Sequence, residues 1–367
     1  MQVFLIGGSV RDRLLQRPEK DKDFVVLQAT EEEFLARFPR AKKVGKGKAV
    51  FLLGRDEYTL STSASIEEEL GKRDLTINAL ALDQKNRLYA HPLALKDLEN
   101  KLLRPIEKKN FFQDPLRVYR SARFWSELPE FKLHSTLLYI SWSVLKSEKI
   151  KTLSAERVWG ELFKALQAKK PGNFFRFLNL ISGFNFWFAQ LQESAFIPAG
   201  PKHHHPESVL EHTLNLMDAL APDFWGAWLA FCHDLGKVLT PVELLPHHYG
   251  HEEKGRAVLK DLAKKLPLPR KMLKYGAIAC RYHMLAGKYT SLRPGTRVKL
   301  LLSLPQEIFE PFFKLVRLDQ GMDYLEQALQ DLKVIQKVKL PPAHQNLGSR
   351  SGAILHSLRA KALKDFS

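Results

Sequence analysis

The sequence is short of cysteine, of acidic residues and of long apolar runs. Its 367 residues include two cysteines, Cys232 and Cys280, too few for a disulfide framework or a zinc site built from thiolates. No run approaches the roughly 18 apolar residues that a membrane-spanning helix needs. The opening Met1-Gln2-Val3-Phe4-Leu5-Ile6-Gly7-Gly8 lacks the basic start, longer apolar stretch and cleavage site of a secretory signal. A cytoplasmic protein with no membrane partner is expected. Carboxylates are outnumbered: 57 Lys and Arg stand against 40 Asp and Glu, a formal charge of +17, which favours a polyanionic partner such as nucleic acid. Hydrophobic residues at 45% and charged residues at 26% suit a globular protein with a sizeable core. At roughly 100 to 200 residues per domain, the length predicts two or three domains.

Strand, glycine turn, helix and strand signals open the chain, at Val3 to Ile6, Gly7-Gly8, Val10 to Leu15 and Phe24 to Leu27. A helix from Glu31 to Phe38, strands over Ala49 to Leu53 and Glu57 to Leu60, and an apolar helical pattern over Leu75 to Leu82 continue this α/β segment. Beyond about residue 110 strand signals fade and helical stripes take over. Pro198-Ala199-Gly200-Pro201 reads as a linker, because two prolines and a glycine cannot continue a helix. Nine of the 13 histidines fall between 203 and 283; His203-His204-His205 reads as a surface turn.

Asp21-Lys22-Asp23 leads into an apolar strand, which places two carboxylates at i and i+2 on one face. Two acids side by side repel unless a cation lies between them. Such a pair suits one or two Mg²⁺ and phosphoryl displacement. The Gly7-Gly8-Ser9 turn before a helix exposes backbone N–H groups that can cradle a triphosphate, and Arg11 adds charge.

Gly7-Gly8-Ser9-Val10-Arg11-Asp12 followed by Asp21-Lys22-Asp23 resembles the signature of the class II tRNA nucleotidyltransferase and poly(A) polymerase family. Lys72-Arg73-Asp74-Leu75-Thr76-Ile77-Asn78-Ala79 resembles its second motif, and Asp114-Pro115-Leu116-Arg117-Val118-Tyr119-Arg120 its nucleotide-selecting motif. Within that family the chain is most similar to bacterial CCA-adding enzymes that carry an HD domain. The resemblance implies an α+β fold: a polymerase β-like nucleotidyltransferase head over 1–110, an all-helical neck and body over 111–200, and a helical HD domain over 201–367. It implies that Asp21 and Asp23 hold Mg²⁺, and that Gly8, Arg11, Arg73, Asp74, Asn78, Asp114, Arg117 and Arg120 contact the nucleotide. On one helix, Asp114 and Arg117 share a face and offer an acceptor beside a donor. That edge matches cytosine and adenine and leaves buried groups unpaired against uracil and guanine. CTP, ATP and tRNA are therefore the expected partners, for a monomer or a homodimer.

The sequence departs from the family pattern in three places. His91-Pro92-Leu93-Ala94-Leu95-Lys96-Asp97-Leu98 lacks the usual Asp and Gly, and Gln113 stands where a Glu normally precedes the selecting Asp. Between Glu57-Tyr58 and Arg73 only a short Ser61-to-Gly71 segment replaces the long flexible loop. In the family that shortening accompanies enzymes that add CC and stop before A, so a CC-adding enzyme is the alternative reading.

Phe231-Cys232-His233-Asp234-Leu235-Gly236-Lys237 resembles the core of HD phosphohydrolases, with His212 one helix earlier and Asp319 as the distant closing carboxylate. Imidazole and carboxylate together bind divalent metal and activate water against phosphate. By this resemblance His212, His233, Asp234 and Asp319 hold a transition metal such as Ni²⁺, His251 and His283 assist, and RNA-end phosphates or 2′,3′-cyclic phosphates are the substrates. Further readings are a grip for tRNA by an inactive HD fold, an RNA-end phosphohydrolase with a vestigial head, and a noncatalytic RNA-binding protein.

Overall fold

The computed structural model describes residues 1–366 except 19–21, 45–48, 202 and 204–205. Asp21, and His204 and His205 of the expected surface turn, thus lie outside the described residues. The chain folds as two compact units, Met1–Leu153 and Ser154–Ser367; the division falls inside the 111–200 segment that the sequence reading treats as one helical body.

The first unit runs β1 (Gln2–Ile6), α1 (Gly8–Leu14), β2 (Asp23–Leu27), α2 (Glu31–Arg37), β3 (Lys42–Val44), β4 (Val50–Leu53), β5 (Asp56–Ser61), α3 (Ile66–Gly71), β6 (Leu80–Leu82), β7 (Leu88–Ala90) and α4 (Ala94–Glu99). It continues through β8 (Leu102–Leu103), α5 (Lys108–Gln113), α6 (Arg117–Glu127), β9 (Lys132–Leu133) and α7 (Ser135–Lys146). Among the described residues, β1 to β7 form one sheet in the order β3-β4-β5-β2-β1-β6-β7. Within this sheet, among the described residues, only the β2–β5 pairing is parallel.

Successive strand residues face opposite sides, and both sides of this sheet are covered. Phe4, Ile6, Val25 and Leu27 pack with Ile66 and Leu70 of α3 on one side. On the other, Val26 joins Phe34, Phe51 and Tyr58, and Leu5 meets Val10 and Leu80. Strands buried on both faces read as unbroken apolar runs, which explains the strand signal at the amino end. Thr30 caps α2 and receives Glu33 in a reciprocal capping box. That seats Phe34, fully buried, among the rings of Phe38, Phe51 and Tyr58, a burial that contributes about 1.5–3 kcal/mol.

The apolar segment Leu75 to Leu82 is not the helix its pattern predicts. Thr76–Asn78 form one 3-10 turn, and Leu80–Leu82 are β6. Antiparallel pairing with β1 and β7 takes up the backbone groups of Leu80 to Leu82. Burial on both sides, not helical amphipathicity, supplies the apolar run.

The second unit is helical: α8 (Ala155–Ala165), α9 (Gly172–Leu180), α10 (Val209–Leu220), α11 (Phe224–His233), α12 (His251–Lys265), α13 (Arg270–Ala286), α14 (Pro294–Ser303), α15 (Gln306–Gln320), α16 (Leu325–Lys337) and α17 (Ser349–Phe366). Ser208 and Asp223 cap α10 and α11 through their side chains. Trp228 and Phe231 stack in the core with Phe175. The expected linker Pro198 to Pro201 lies inside this unit. Ala199 is buried and its carbonyl accepts from Lys237 Nζ, while Pro198 O meets His248 Nε2. Proline and glycine end the helix, but the freed carbonyls are then used in packing. No helix among the described residues is long and apolar enough to cross a membrane.

One glycine in each unit permits a backbone arrangement closed to other residues. Gly7 turns β1 into α1 at φ 72°, a left-handed conformation that side chains resist. Gly236 lies so close to α12 that a Cβ there would fall 1.9 Å from His251 O. Gly236→Ala should therefore destabilise the second unit by about 1–3 kcal/mol, whereas Gly71→Ala, with open space around it, should change stability by less than about 1 kcal/mol. Urea titrations monitored by circular dichroism compare the two; equal midpoints would contradict this packing.

Candidate active sites

The first candidate site lies in the first unit, where α1, the 3-10 turn and α6 meet. Arg11 is 4% exposed and donates through Nη1 to Asn78 Oδ1 at 2.7 Å and through Nε to Asp12 at 2.9 Å. Its guanidinium lies over Gly8, 3.5 Å from where a Cβ would sit. Asn78 Nδ2 donates to Asp74 Oδ1 at 3.1 Å, and Arg120 Nε to Asp74 Oδ2 at 2.7 Å. A chain of charge and amide thus links the glycine turn to α6. Asp97, 1% exposed, fixes the turn from behind by accepting from Thr76 Oγ1 at 2.7 Å and Arg104 Nε at 2.9 Å.

Asp74 is 3% exposed. Burial pushes its carboxyl up, but the charges of Arg120 and Arg117 and the Asn78 hydrogen bond outweigh this and hold it well below the usual carboxylate range. Arg117 moves the other way. Burial lowers it, opposed by Asp74 and Asp114 and reinforced by the like charges of Arg120 and Arg73. Arg117 Nη1 and Arg73 Nε are buried with no hydrogen-bond partner. Arg73 is itself paired with Glu69 at 2.9 Å, and the two donors left without a partner, Arg73 Nε and Arg117 Nη1, suit an anion.

Asp114 does not share a helix with Arg117. It ends α5 in an extended conformation, Pro115 comes next, and α6 begins at Arg117. Pro115 disfavours the helical conformation at the residue before it. The side chain instead accepts from Leu116 N at 3.3 Å, so Asp114 caps the start of α6 while acting electrostatically on Arg117. Asp23 opens β2 as an exposed residue, in register with Ile6 and, on the parallel side, with Glu57. Glu57 was not singled out from sequence; only a strand pairing puts it beside Asp23. Asn110, also missed, clamps the segment before Arg73 by donating to Gly71 O at 2.8 Å and Arg73 O at 2.9 Å.

The second candidate site lies within the second unit and is built on Asp234, 2% exposed. Its Oδ1 meets His251 Nε2 at 3.3 Å and His283 Nε2 at 3.5 Å; its Oδ2 meets His233 Nε2 at 3.2 Å and Lys237 Nζ at 2.7 Å. His212 Nε2 contacts Asp319 Oδ1 at 2.9 Å. The residues expected from sequence are therefore brought together. Lys237 and Glu207, which accepts His212 Nδ1 at 3.0 Å, were not assigned roles. The position of Lys237 three residues after Asp234 was the available signal.

His233, His251 and His283 each direct Nδ1 at a backbone carbonyl, Ala230 O at 2.7 Å, His248 O at 2.6 Å and Cys280 O at 2.9 Å. A carbonyl only accepts, so these bonds assign the proton to Nδ1 and leave Nε2 with its lone pair. His251 Nε2 and His283 Nε2 then face each other at 3.1 Å. Two such lone pairs repel unless a cation lies against them, and imidazoles with carboxylates suit a divalent transition metal. Burial opposes the charge of Asp234, yet the Lys237 ammonium beside it holds its carboxyl well below the usual range. Burial lowers His212, but Asp319 and Asp234 raise it further than that. The nearby thiols are not ligands: burial pushes Cys280 up to about 12, and Cys280 Sγ donates to Cys232 O at 3.0 Å.

Comparison with known proteins places these sites in a family context. Residues 3–53 match the Poly A polymerase head domain. A curated multifunctional CCA protein of Acinetobacter baumannii strain ATCC 17978 is 32% identical, with 100% of this chain and 98% of the relative covered. That of Mannheimia succiniciproducens is 34% identical over 89% of this chain and 86% of its own. The solved structure of a Thermotoga maritima CCA-adding enzyme with tRNA shares the fold at TM-score 0.66 and 19% identity, covering 100% of this chain and 92% of that one. A CCA-adding enzyme with ATP gives 0.66 at 20% identity, covering 98% and 87%.

The buried charge at Asp74 makes a prediction about acid. An unfolded Asp titrates near about 3.9, and the folded value is lower. The stability it contributes is therefore complete above about pH 4 and lost as pH falls below it. Asp74→Asn should lower stability at neutral pH by about 2–3 kcal/mol and flatten the acid limb of the stability curve, measured by urea unfolding across pH. An acid limb identical to wild type would count against this role.

Proposed function

Because the chain belongs to the multifunctional CCA proteins, we propose that it adds C, C and A to the 3′ end of tRNA from CTP and ATP without a nucleic-acid template. The observation that carries this reading is the pair of buried donors, Arg73 Nε and Arg117 Nη1, left without a hydrogen-bond partner beside Arg120 and Asp74. The tRNA 3′-hydroxyl oxygen attacks the α-phosphorus of the nucleotide, the bond to the β-phosphate oxygen breaks, and pyrophosphate leaves. Arg73 binds the triphosphate, and Gly8 brings a backbone N–H group close to it. Asn78, fixed by Arg11 and Asp74, contacts the ribose. Asp114 accepts from, and Arg117 donates to, the edge shared by cytosine and adenine, the pairing now set by a helix cap instead of a common helix face.

Asp21 and Asp23 would hold Mg²⁺, and Glu57 beside Asp23 would add a hard oxygen donor to the same ion; when bound, Mg²⁺ would supply charge stabilisation at the attacking and leaving oxygens. In the second unit His212, His233, Asp234 and Asp319, helped by His251 and His283, would hold a transition metal such as Ni²⁺, which would supply water activation for hydrolysis of 2′,3′-cyclic or terminal phosphates on RNA ends. There Lys237 holds Asp234 ionised and Glu207 orients His212.

One observation favours the CC-adding alternative. The connection from β5 to Arg73 is short and pinned: Ser61 and Ser63 donate to Glu69 Oε2 at 2.7 and 2.9 Å, and Lys72 Nζ to Ser63 Oγ at 2.9 Å. Incubation with tRNA lacking its last three nucleotides, Mg²⁺ and each labelled nucleotide separates the readings. Addition of C, C and A is the expected result, a stall after CC selects the alternative, and no incorporation sinks both. Asp23→Ala should cut incorporation by about 100-fold or more while hydrolysis of a 2′,3′-cyclic phosphate by the same preparation persists; loss of both activities would mean the sites are not independent.

A further inference from the structure

A surface of the first unit far from a packing role is built from alternating rings and lysines. In α7 the residues Leu137, Ile140, Ser141, Val144 and Leu145 are buried, which spends the apolar face of that helix. Tyr139, Trp142 and Lys146 lie on the opposite stripe at i, i+3 and i+7. Tyr139 is 58% and Trp142 42% exposed, and their rings stack at 6.3 Å between centroids. Lys146 Nζ lies 5.8 Å from the Trp142 ring. On the packed neighbour α5, Lys108 Nζ lies 5.6 Å from the Tyr139 ring and 5.4 Å from that of Phe112. Lys149 Nζ sits 5.6 Å from Phe112. The six side chains form one continuous strip, and among the described residues Lys108, Lys146 and Lys149 make no carboxylate ion pair.

We propose that this strip is an RNA-docking platform on which Tyr139 and Trp142 stack an unpaired base of the tRNA while Lys108, Lys146 and Lys149 contact its flanking phosphates. The inference rests on the proposed tRNA activity and adds to it a binding surface. Two adjacent aromatic faces on the outer side of a helix contribute nothing to the core, and bases of any sequence stack on them. Lysine is a compact charge suited to single phosphates, and it is depleted at protein–protein interfaces. The charge of the strip has the sign an RNA requires.

The test uses the full chain and tRNA lacking its last three nucleotides. Tyr139→Ala/Trp142→Ala should raise the Kd for that tRNA by about tenfold or more, the size of a lost base stack, with the loss in KM for tRNA and not in kcat. Tyr139→Phe/Trp142→Phe keeps both rings and should restore binding to within about twofold of wild type. Lys108→Gln/Lys146→Gln, a second pair that leaves the rings in place, should shallow the dependence of log Kd on log salt by about 1 per lysine. An unchanged tRNA affinity in the ring variant, or no rescue by phenylalanine, overturns the platform. So does a change from dimer to monomer in sedimentation, which would mark the strip as a contact between two copies. If wild type neither binds nor extends tRNA, the parent reading fails first and is recognised as such.

Discussion

A buried carboxylate ringed by guanidiniums organises the first unit. At about 4 Å, unit charges in a protein interact by about 4 kcal/mol with an effective dielectric near 20, so clustered arginines repel strongly unless acids lie among them. Asp74 is that acid for Arg117 and Arg120, and Glu69 pairs with Arg73. It joins the 3-10 turn to α6 through Arg120, and through Asn78 and Arg11 to the glycine turn at the start of α1. The pair tolerates burial because both of its carboxylate oxygens are hydrogen-bonded. Two donors of the cluster, Arg73 Nε and Arg117 Nη1, stay buried without a hydrogen-bond partner.

The second unit uses the opposite arrangement around Asp234. There one buried carboxylate is surrounded by imidazoles, and their orientation is fixed from outside by backbone carbonyls. The close approach of α12 to the turn after α11 depends on Gly236. A single methyl group at that position would push His251 away from Asp234. Packing and chemistry are therefore coupled at that glycine.

Each unit holds its charged residues against a stiff core, the two-faced sheet in the first and the Phe175, Trp228 and Phe231 stack in the second. Stiffness matters because guanidiniums of like charge, and imidazoles whose lone pairs face each other, relax apart when their backbone yields. The exposed ion pairs, such as Lys43 with Glu31, are worth at most about 1 kcal/mol and do little for either site. The aromatic strip on α7 differs from both sites in kind. It is open, sequence-tolerant and positioned by a helix whose other face is already used.

Amino-acid sequence alone determined the glycine turn, the run of β1 and β2 and the residues that gather around Asp234 in the second unit, because each is a local pattern of residue type and spacing. It misread Leu75 to Leu82, whose apolar character comes from two sheet faces and not from a helix stripe. It also placed Asp114 and Arg117 on one helix, although Pro115 breaks the chain between them. Only the tertiary structure decided that Glu57 stands beside Asp23, that Asn110 clamps Arg73, and that Lys237 and Glu207 hold Asp234 and His212. Those partners lie on neighbouring strands, packed helices or turns of the fold. Strand register and helix packing bring Glu57 and Asn110 within reach, and neither is written in residue spacing; the i+3 position of Lys237 is in the spacing, but its contact with Asp234 is set by the turn after α11.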